Sequence, residues 1–343
     1  MDMSQPILRT GIPLQCPRCR QGVLQERDRS LHCGCGWSSV ASAQGVLEVL
    51  EQVRTAEQVQ RAAYDVLLEG LGQTADPITA FVSPHGLQKS RMLRRLRLKP
   101  GETVLEVACG AGPLSDALSS RYGCRCVGID ISAASVAAQL ARRHDRSGWD
   151  AVVASATRLP FAAGTFDAVT AFDVIEHLAE PETLYAEAAR VLKPGGRMLL
   201  RMPVMDFGWS ADWWQYRLRH AAWMKRMDRA GHFYAHFRTK FQHKHLARAA
   251  GLRVLTCFGY DVFFDNLYEY GLLPRLAPRK QAEAGAAPEG GIRLVHPTSL
   301  KHRLARFAAR VLDVALLPER LAGTLGFGAS AWLLAVKPPG TSA

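Results

Sequence analysis

The stretch that decides the fold is Thr103-Val104-Leu105-Glu106-Val107-Ala108-Cys109-Gly110-Ala111-Gly112. Its first half is an apolar run of the kind that forms a buried parallel strand. Its second half is a loop in which glycine, lacking a Cβ, lets the chain turn tightly and lets a ligand lie against bare backbone. Pro113 stands where a helix would start, and Leu114, Ala117 and Leu118 continue at helical spacing. Strand, glycine loop and helix in this order make a nucleotide-cradling unit. Cys126-Val127-Gly128-Ile129-Asp130 reads as the next strand, with Asp130 at its carboxyl end, poised to accept hydrogen bonds from ribose hydroxyls.

Downstream, strands are expected at 150–154, 166–172, 196–202, 252–258 and 331–336, alternating with helices. That alternation argues for a parallel sheet covered on both faces. Several ordered motifs lie along it: Ala154-Ser155-Ala156-Thr157-Arg158-Leu159-Pro160-Phe161, then Phe166-Asp167-Ala168-Val169 leading to Asp173-Val174-Ile175-Glu176-His177-Leu178, then Arg190-Val191-Leu192-Lys193-Pro194-Gly195-Gly196-Arg197. The glycine loop lacks the third glycine of the dinucleotide fingerprint. Together with the later motifs, E-x-x-C-G-x-G resembles the class I S-adenosylmethionine (SAM) methyltransferases, in the branch of the ubiquinone and menaquinone methyltransferases. The resemblance covers roughly residues 60–260. It implies an α/β, Rossmann-like seven-stranded methyltransferase sheet of order 3-2-1-4-5-7-6 with the seventh strand antiparallel.

The resemblance also implies a site. Glu106, Gly110 and Gly112 would surround the methionine part of SAM and Asp130 would hold the ribose. Ala108, Ile131, Ser155, Ala156 and Phe172 complete the expected cofactor-binding set. Position 155 often carries an acid facing the adenine amino group; Ser155 accepts a hydrogen bond more weakly than a carboxylate. Ala171-Phe172-Asp173 lies at the carboxyl end of the fourth strand, where such sheets place ligands. Methyl transfer from a sulfonium needs alignment and exclusion of water more than covalent help. If the acceptor is a hydroxyl, His177 is the candidate base, with Asp173 the second candidate catalytic residue. Asp173-x2-Glu176-His177 also resembles a metal-assisted O-methyltransferase spacing and would offer ligands to a divalent cation, although carboxylates at a helix start also serve as caps.

The first fifty residues read as a separate unit. Cys16-Pro17-Arg18-Cys19 is a C-x2-C knuckle, followed by Leu31-His32-Cys33-Gly34-Cys35-Gly36-Trp37. Two knuckles in a short, core-poor unit supply a tetrahedral set for structural zinc. The unit resembles the zinc-ribbon lead-in found before some methyltransferase domains, with Gly45-Val46-Leu47-Glu48-Val49-Leu50 in place of its last strand. Spacing leaves the ligand set open: Cys16 and Cys19 are joined either by His32 with Cys35 or by Cys33 with Cys35. The expected organisation is a zinc-ribbon-like unit at 1–50, a helical cap and linker at 51–100, and the methyltransferase domain at 101–343 with inserts at 203–250 and 259–330.

The cap carries apolar residues at Val59, Ala62, Ala63, Val66 and Leu67, and Tyr64-Asp65 resembles a pair often seen over the family's pocket. The first insert interleaves basic residues with Trp209, Trp213, Trp214, Tyr216, Trp223 and several phenylalanines. Such a stretch suits a helical lid, an apolar substrate cavity, a membrane interface or a stacking surface for nucleic acid. In the second insert, 277–291 reads as a flexible loop and Thr298–Leu317 as a basic amphipathic helix, suited to packing on its own domain or lying on an anionic membrane.

Composition narrows the classes. The chain has 343 residues, 48% of them hydrophobic, and a net charge of +12, which is compatible with a nucleic acid, an anionic membrane or an acidic substrate without choosing among them. No apolar run reaches the length of a membrane span, and MDMSQPILRTGIPLQ lacks the pattern of a signal peptide, so a cytoplasmic protein is expected, with peripheral membrane contact as an option. The leading expectation is a SAM-dependent methyltransferase acting on a hydrophobic small molecule: quinone-like, polyketide or lipid-linked. Two alternatives stand beside it. A zinc-bearing unit on a basic methyltransferase also resembles guanine-N1 rRNA methyltransferases, although the strand-four end lacks an N-P-P-Y-type motif. A non-catalytic SAM-binding adapter is the third.

Overall fold

Every residue of Thr103–Val107 is buried, because this strand (β4) lies in the middle of a sheet covered on both faces. The computed structural model describes residues 8–28, 30–42, 45–51, 58, 61–62, 84–110, 114–141, 148–206, 211–229, 237–260, 311, 314, 317–324 and 327–340. Within these, a small antiparallel sheet of Gln25–Arg27 (β1), Ser30–His32 (β2) and Ser38–Val40 (β3) comes first. Helix α1, Pro84–Arg95, precedes β4. Then follow Leu114–Tyr122 (α2), Arg125–Asp130 (β5), Ala133–Leu140 (α3), Trp149–Val153 (β6) and Phe166–Phe172 (β7). A single 3-10 turn, Ile175–His177, leads to Pro181–Val191 (α4) and Leu192–Pro203 (β8). Ala211–Leu218 (α5), His220–Arg229 (α6), Lys240–Ala249 (α7), Arg253–Tyr260 (β9), Leu317–Thr324 (α8) and Ser330–Val336 (β10) complete the order.

The large sheet runs β6-β5-β4-β7-β8-β10-β9, with β10 antiparallel to both neighbours and the pairs from β6 through β8 parallel. In order of strands this is 3-2-1-4-5-7-6, as the sequence implied. Side chains alternate across it. Leu105, Val107, Val127 and Ile129 join a core with Leu184, Tyr185 and Ala188 of α4 and Ala247 of α7. Val104 and Cys126 join a second core with Met92 and Leu93 of α1, Leu96 just after it, and Leu118 of α2. Strand β8 begins at Leu192, earlier than the expected 196, because Leu192 pairs with Phe166 ahead of a register shift.

The N-terminal residues are continuous with the first core: Leu8, Ile12, Leu14, Leu24, Leu31 and Trp37 are all buried within it. The segment from Gly45 does not complete the small sheet. Val49 donates its N–H to Val153 O at 2.8 Å and Val153 donates back to Leu47 O at 2.8 Å, so this segment covers the outer edge of β6. Its apolar residues fit either sheet, and here the segment makes a single parallel bridge, Glu48 to Val153, at the edge of β6.

Gly112, Pro113, Tyr64-Asp65, the 277–291 loop and most of Thr298–Leu317 lie outside the described residues. Among those described, no helix is long and apolar enough to cross a membrane.

Candidate functional site

Three residues at the carboxyl ends of β4 and β7 take left-handed backbone: Ala108 at φ 56°, Gly110 at φ 51° and Asp173 at φ 54°. Only glycine does this without cost, so Ala108 and Asp173 store backbone strain of the kind that collects at functional sites. The turns they make carry the chain off the sheet and open a pocket above it. Ala108, Gly110, Ile129, Asp130, Ile131, Ser135, Ala154, Ser155, Ala156, Asp173, Val174, His177 and Leu178 line it.

Asp130 organises the near wall. Its Oδ2 accepts the Gly110 N–H at 2.8 Å and its Oδ1 accepts the Ser132 N–H at 2.9 Å. One carboxylate thereby fixes both the glycine loop and the start of α3, whose cap Ser132 accepts from Ser135 N at 3.0 Å. Each carboxylate oxygen has a second lone-pair site, which is what a vicinal diol needs as acceptor. Gly128, on β5 beneath the loop, has no room for a side chain: a Cβ there would stand 2.9 Å from Cys109 Cβ and Sγ.

Glu106 lies under the pocket and is not among its lining residues. Ser115 Oγ donates to Glu106 Oε2 at 2.5 Å, and burial pushes the carboxyl up to about 8, against which the Ser115 bond acts. Ser115 is a member of this arrangement that the motif does not reveal. Ser155 lines the far wall, where its hydroxyl pairs with Thr157 Oγ1 at 2.8 Å and accepts Thr157 N at 3.1 Å in a local turn.

His177 is buried and lines the pocket beside Asp173. Asp173 pairs with the Arg201 guanidinium, which also stacks 5.0 Å from the centre of the Tyr260 ring. Glu176 is fully buried, and burial, then the charge of Asp173, raises its carboxyl to about 8. The structure does not gather Asp173, Glu176 and His177 into a convergent ligand group among the described residues; Asp173 is turned to Arg201 instead. Phe172 stands just outside the pocket, edge-on to Trp332 at 5.2 Å, with Lys89 Nζ 5.7 Å from its ring centre. Arg201 and Lys89 are absent from the sequence-based set. The visible signal for Arg201 is a lone cation inside the apolar strand Met198–Pro203.

Residues 105–200, from β4 to β8, match the family described as Methyltransferase domain. Over that span the sequence resembles a class I methyltransferase domain. Its sequence is 38% identical over 139 residues to demethylmenaquinone methyltransferase of Mycobacterium tuberculosis, covering 39% of this chain and 56% of that protein. It is 38% identical over 115 residues to squalene methyltransferase 2 of Botryococcus braunii, covering 32% and 30%. The chain thus spans about a third to just over half the length of these relatives. The fold also resembles Haemonchus contortus phosphoethanolamine N-methyltransferase 2 in complex with SAM, with a TM-score of 0.56 at 17% identity, over 93% of this chain and 70% of that one. At that identity the likeness concerns the fold.

A second site precedes the methyltransferase sheet. The Sγ atoms of Cys16, Cys19, Cys33 and Cys35 all lie within 4.8 Å of one another. Cys16–Cys35 and Cys19–Cys33 are each 3.6 Å apart. Zinc–sulfur bonds of about 2.3 Å at tetrahedral angles give sulfur–sulfur edges of about 3.8 Å, so the donor set fits zinc. Backbone supports the thiolates: hydrogen bonds from Gln21 and Gly22, the latter 3.4 Å from its sulfur, lower the Cys19 thiol to about 6, while burial pushes Cys16 up to about 12. A Cβ at Gly22 would stand 2.6 Å from Cys33 Sγ, so only glycine admits this approach. His32 is not part of the group. It sits on β2 after the inward Leu31, and alternation turns it away from the core.

Proposed function

We propose that the protein transfers a methyl group from SAM to a hydrophobic small-molecule acceptor, and that its four clustered thiols hold one structural zinc. The observation that carries the cofactor is the Asp130 carboxylate, set between the glycine loop and α3 at the pocket wall. In this reading Asp130 takes the ribose diol, the Ala108–Gly110 backbone faces the methionine part, and Ile131, Ser155 and Ala156 face the adenine.

An apolar acceptor is supported by the rings at the same end of the sheet. Phe172 at the end of β7, Tyr260 at the end of β9 and the buried Trp332 of β10 pack edge-on or tilted against one another. The named acceptors of two relatives, squalene and demethylmenaquinone, are hydrophobic as well. His177 is then the group within the pocket able to take a proton from a hydroxyl acceptor, with Asp173 held in place by Arg201. The two tryptophan-rich helices pack on each other, with Trp223 buried against Tyr216 at 5.3 Å and Trp214 41% exposed.

The test is transfer of label from methyl-labelled SAM into an organic-solvent extract of the source cells and, separately, into stripped ribosomal RNA, at low and moderate salt. Label is expected in the extract and not in RNA. Label confined to RNA and lost with salt would assign the protein to RNA methylation, since phosphate contacts weaken steeply as salt rises. Label in neither, with SAM bound, would leave the adapter reading.

A further inference from the structure

The loop that follows β6 joins the two sites. Ser155 and Ala156 line the cofactor pocket, and three residues after Ser155 stands Arg158. Its guanidinium donates to Pro17 O at 2.5 Å and to Arg18 O at 2.9 Å, the two carbonyls between the first pair of thiols. The turn itself is tight: Arg158 N bonds back to Ser155 O at 3.2 Å. Gln15 N donates to Pro160 O at 2.8 Å, one residue before Cys16 on one side and within the same loop on the other.

A second path runs parallel. Arg20, in left-handed backbone just after Cys19, places its guanidinium 3.1 Å from Glu187 Oε1. The other oxygen of Glu187 accepts Leu159 N at 2.8 Å. A third path is the 47–49 segment, which pairs with Val153 immediately before the pocket residue Ala154. The far wall of the pocket is thus hung from the cysteine knuckle on one side and from a paired segment on the other.

We propose that metal at the four thiols and cofactor in the pocket are positively coupled, with Arg158 as the positioning residue that carries the coupling. A bound metal fixes the Cys16–Cys19 turn, so that the carbonyls of Pro17 and Arg18 present a rigid pair of acceptors. Arg158 then holds the Ala154–Ala156 wall in its binding geometry. Without metal, the turn loses its cross-link, and the wall must be ordered at the expense of cofactor affinity. Because coupling between two ligands is reciprocal, cofactor must tighten metal by the same factor that metal tightens cofactor. The inference rests on the zinc reading above.

The experiment measures S-adenosylhomocysteine binding by calorimetry on zinc-loaded protein, on chelator-stripped protein, and on zinc-loaded Arg158→Ala. Stripping is expected to weaken binding about tenfold, within the usual range of coupling between two sites. Arg158→Ala is expected to weaken binding comparably with zinc still bound, and stripping that variant is expected to add little further loss. Hydrogen exchange should show faster exchange at 154–161 in both cases, with β4 unchanged. Equal affinity in loaded and stripped protein, or parental affinity in Arg158→Ala, would overturn the coupling while leaving the zinc reading intact. If stripping unfolds the protein, the Arg158→Ala arm decides alone. Failure of the chain to take up zinc would overturn the zinc reading and the coupling with it.

Discussion

The Tyr185 hydroxyl and His243 Nδ1 share a hydrogen bond of 3.0 Å in which both side chains are buried. The pair ties α4 to α7 behind the sheet. His243 Nε2 has no partner among the described residues. Burial, helped by the charge of Arg238 and opposed by Asp206, lowers the imidazole from 6.5 to about 4.

This fixes a sign for acid stability. The folded value lies below the unfolded one, so between about pH 6.5 and 4 the unfolded chain binds the extra proton. The contribution is fully present above pH 6.5 and is lost as pH falls toward 4. Urea unfolding at pH 7 and pH 5 should show a loss of about 2 kcal/mol from this group. His243→Phe should be less stable at pH 7, where Tyr185 loses its partner, yet should lose less stability on going to pH 5. An identical pH dependence in the variant would contradict this.

Glu106 predicts the opposite trend at the alkaline side. Its folded value, about 8, lies above the ordinary value of 4.5, so its contribution is present at low pH and is lost as pH rises through 8. Between pH 7 and 9 the loss should be about 1 kcal/mol. Glu106→Gln keeps an acceptor for Ser115 and should flatten that part of the thermal-stability profile, leaving the share due to Glu176.

Gly128→Ala should be costly despite the small change. The added methyl would meet Cys109 at 2.9 Å and Ser115 Oγ at 3.2 Å, directly under the glycine loop. Overpacking of this kind destabilises by about 1–3 kcal/mol. Cofactor affinity should fall with it, because Cys109 N also bonds Ile129 O at 2.9 Å beside the pocket. Parental melting and parental cofactor affinity together would contradict the packing described.

Metal content distinguishes the two ligand sets that the spacing leaves open. His32→Ala should retain one zinc per chain, whereas Cys33→Ser and the pair Cys16→Ser with Cys19→Ser should lose it. Loss of zinc from His32→Ala, measured by elemental analysis, would contradict the four-thiol set.

The sheet was legible because its strands are apolar runs with turn residues between them, and because Gly110, Asp130 and Lys193-Pro194-Gly195-Gly196 stand at fixed places among them. The pocket was legible in part: Ala108, Gly110, Asp130, Ile131, Ser155, Ala156, Asp173 and His177 line one cavity, whereas Glu106 and Phe172 do not. What spacing could not supply was the partner of each element. Val46–Val49 alternates as well for a small sheet as for the edge of β6. His32 and Cys33 are neighbours in sequence but opposite in direction, and the choice between them depends on which side of β2 faces the knuckle. Arg158 belongs to a motif stretch, yet its guanidinium bonds main-chain carbonyls some 140 residues away, and backbone acceptors leave no trace in side-chain identity.

The central claim is that the pocket at the glycine loop takes SAM through Asp130. Calorimetric titration of S-adenosylhomocysteine into the parent chain and into Asp130→Ala tests it most directly. One molecule should bind per parent chain, and the variant should lose about 1.5–3 kcal/mol of binding free energy, the usual cost of removing hydrogen bonds to a charged group. Equal affinity in the two proteins would contradict the account.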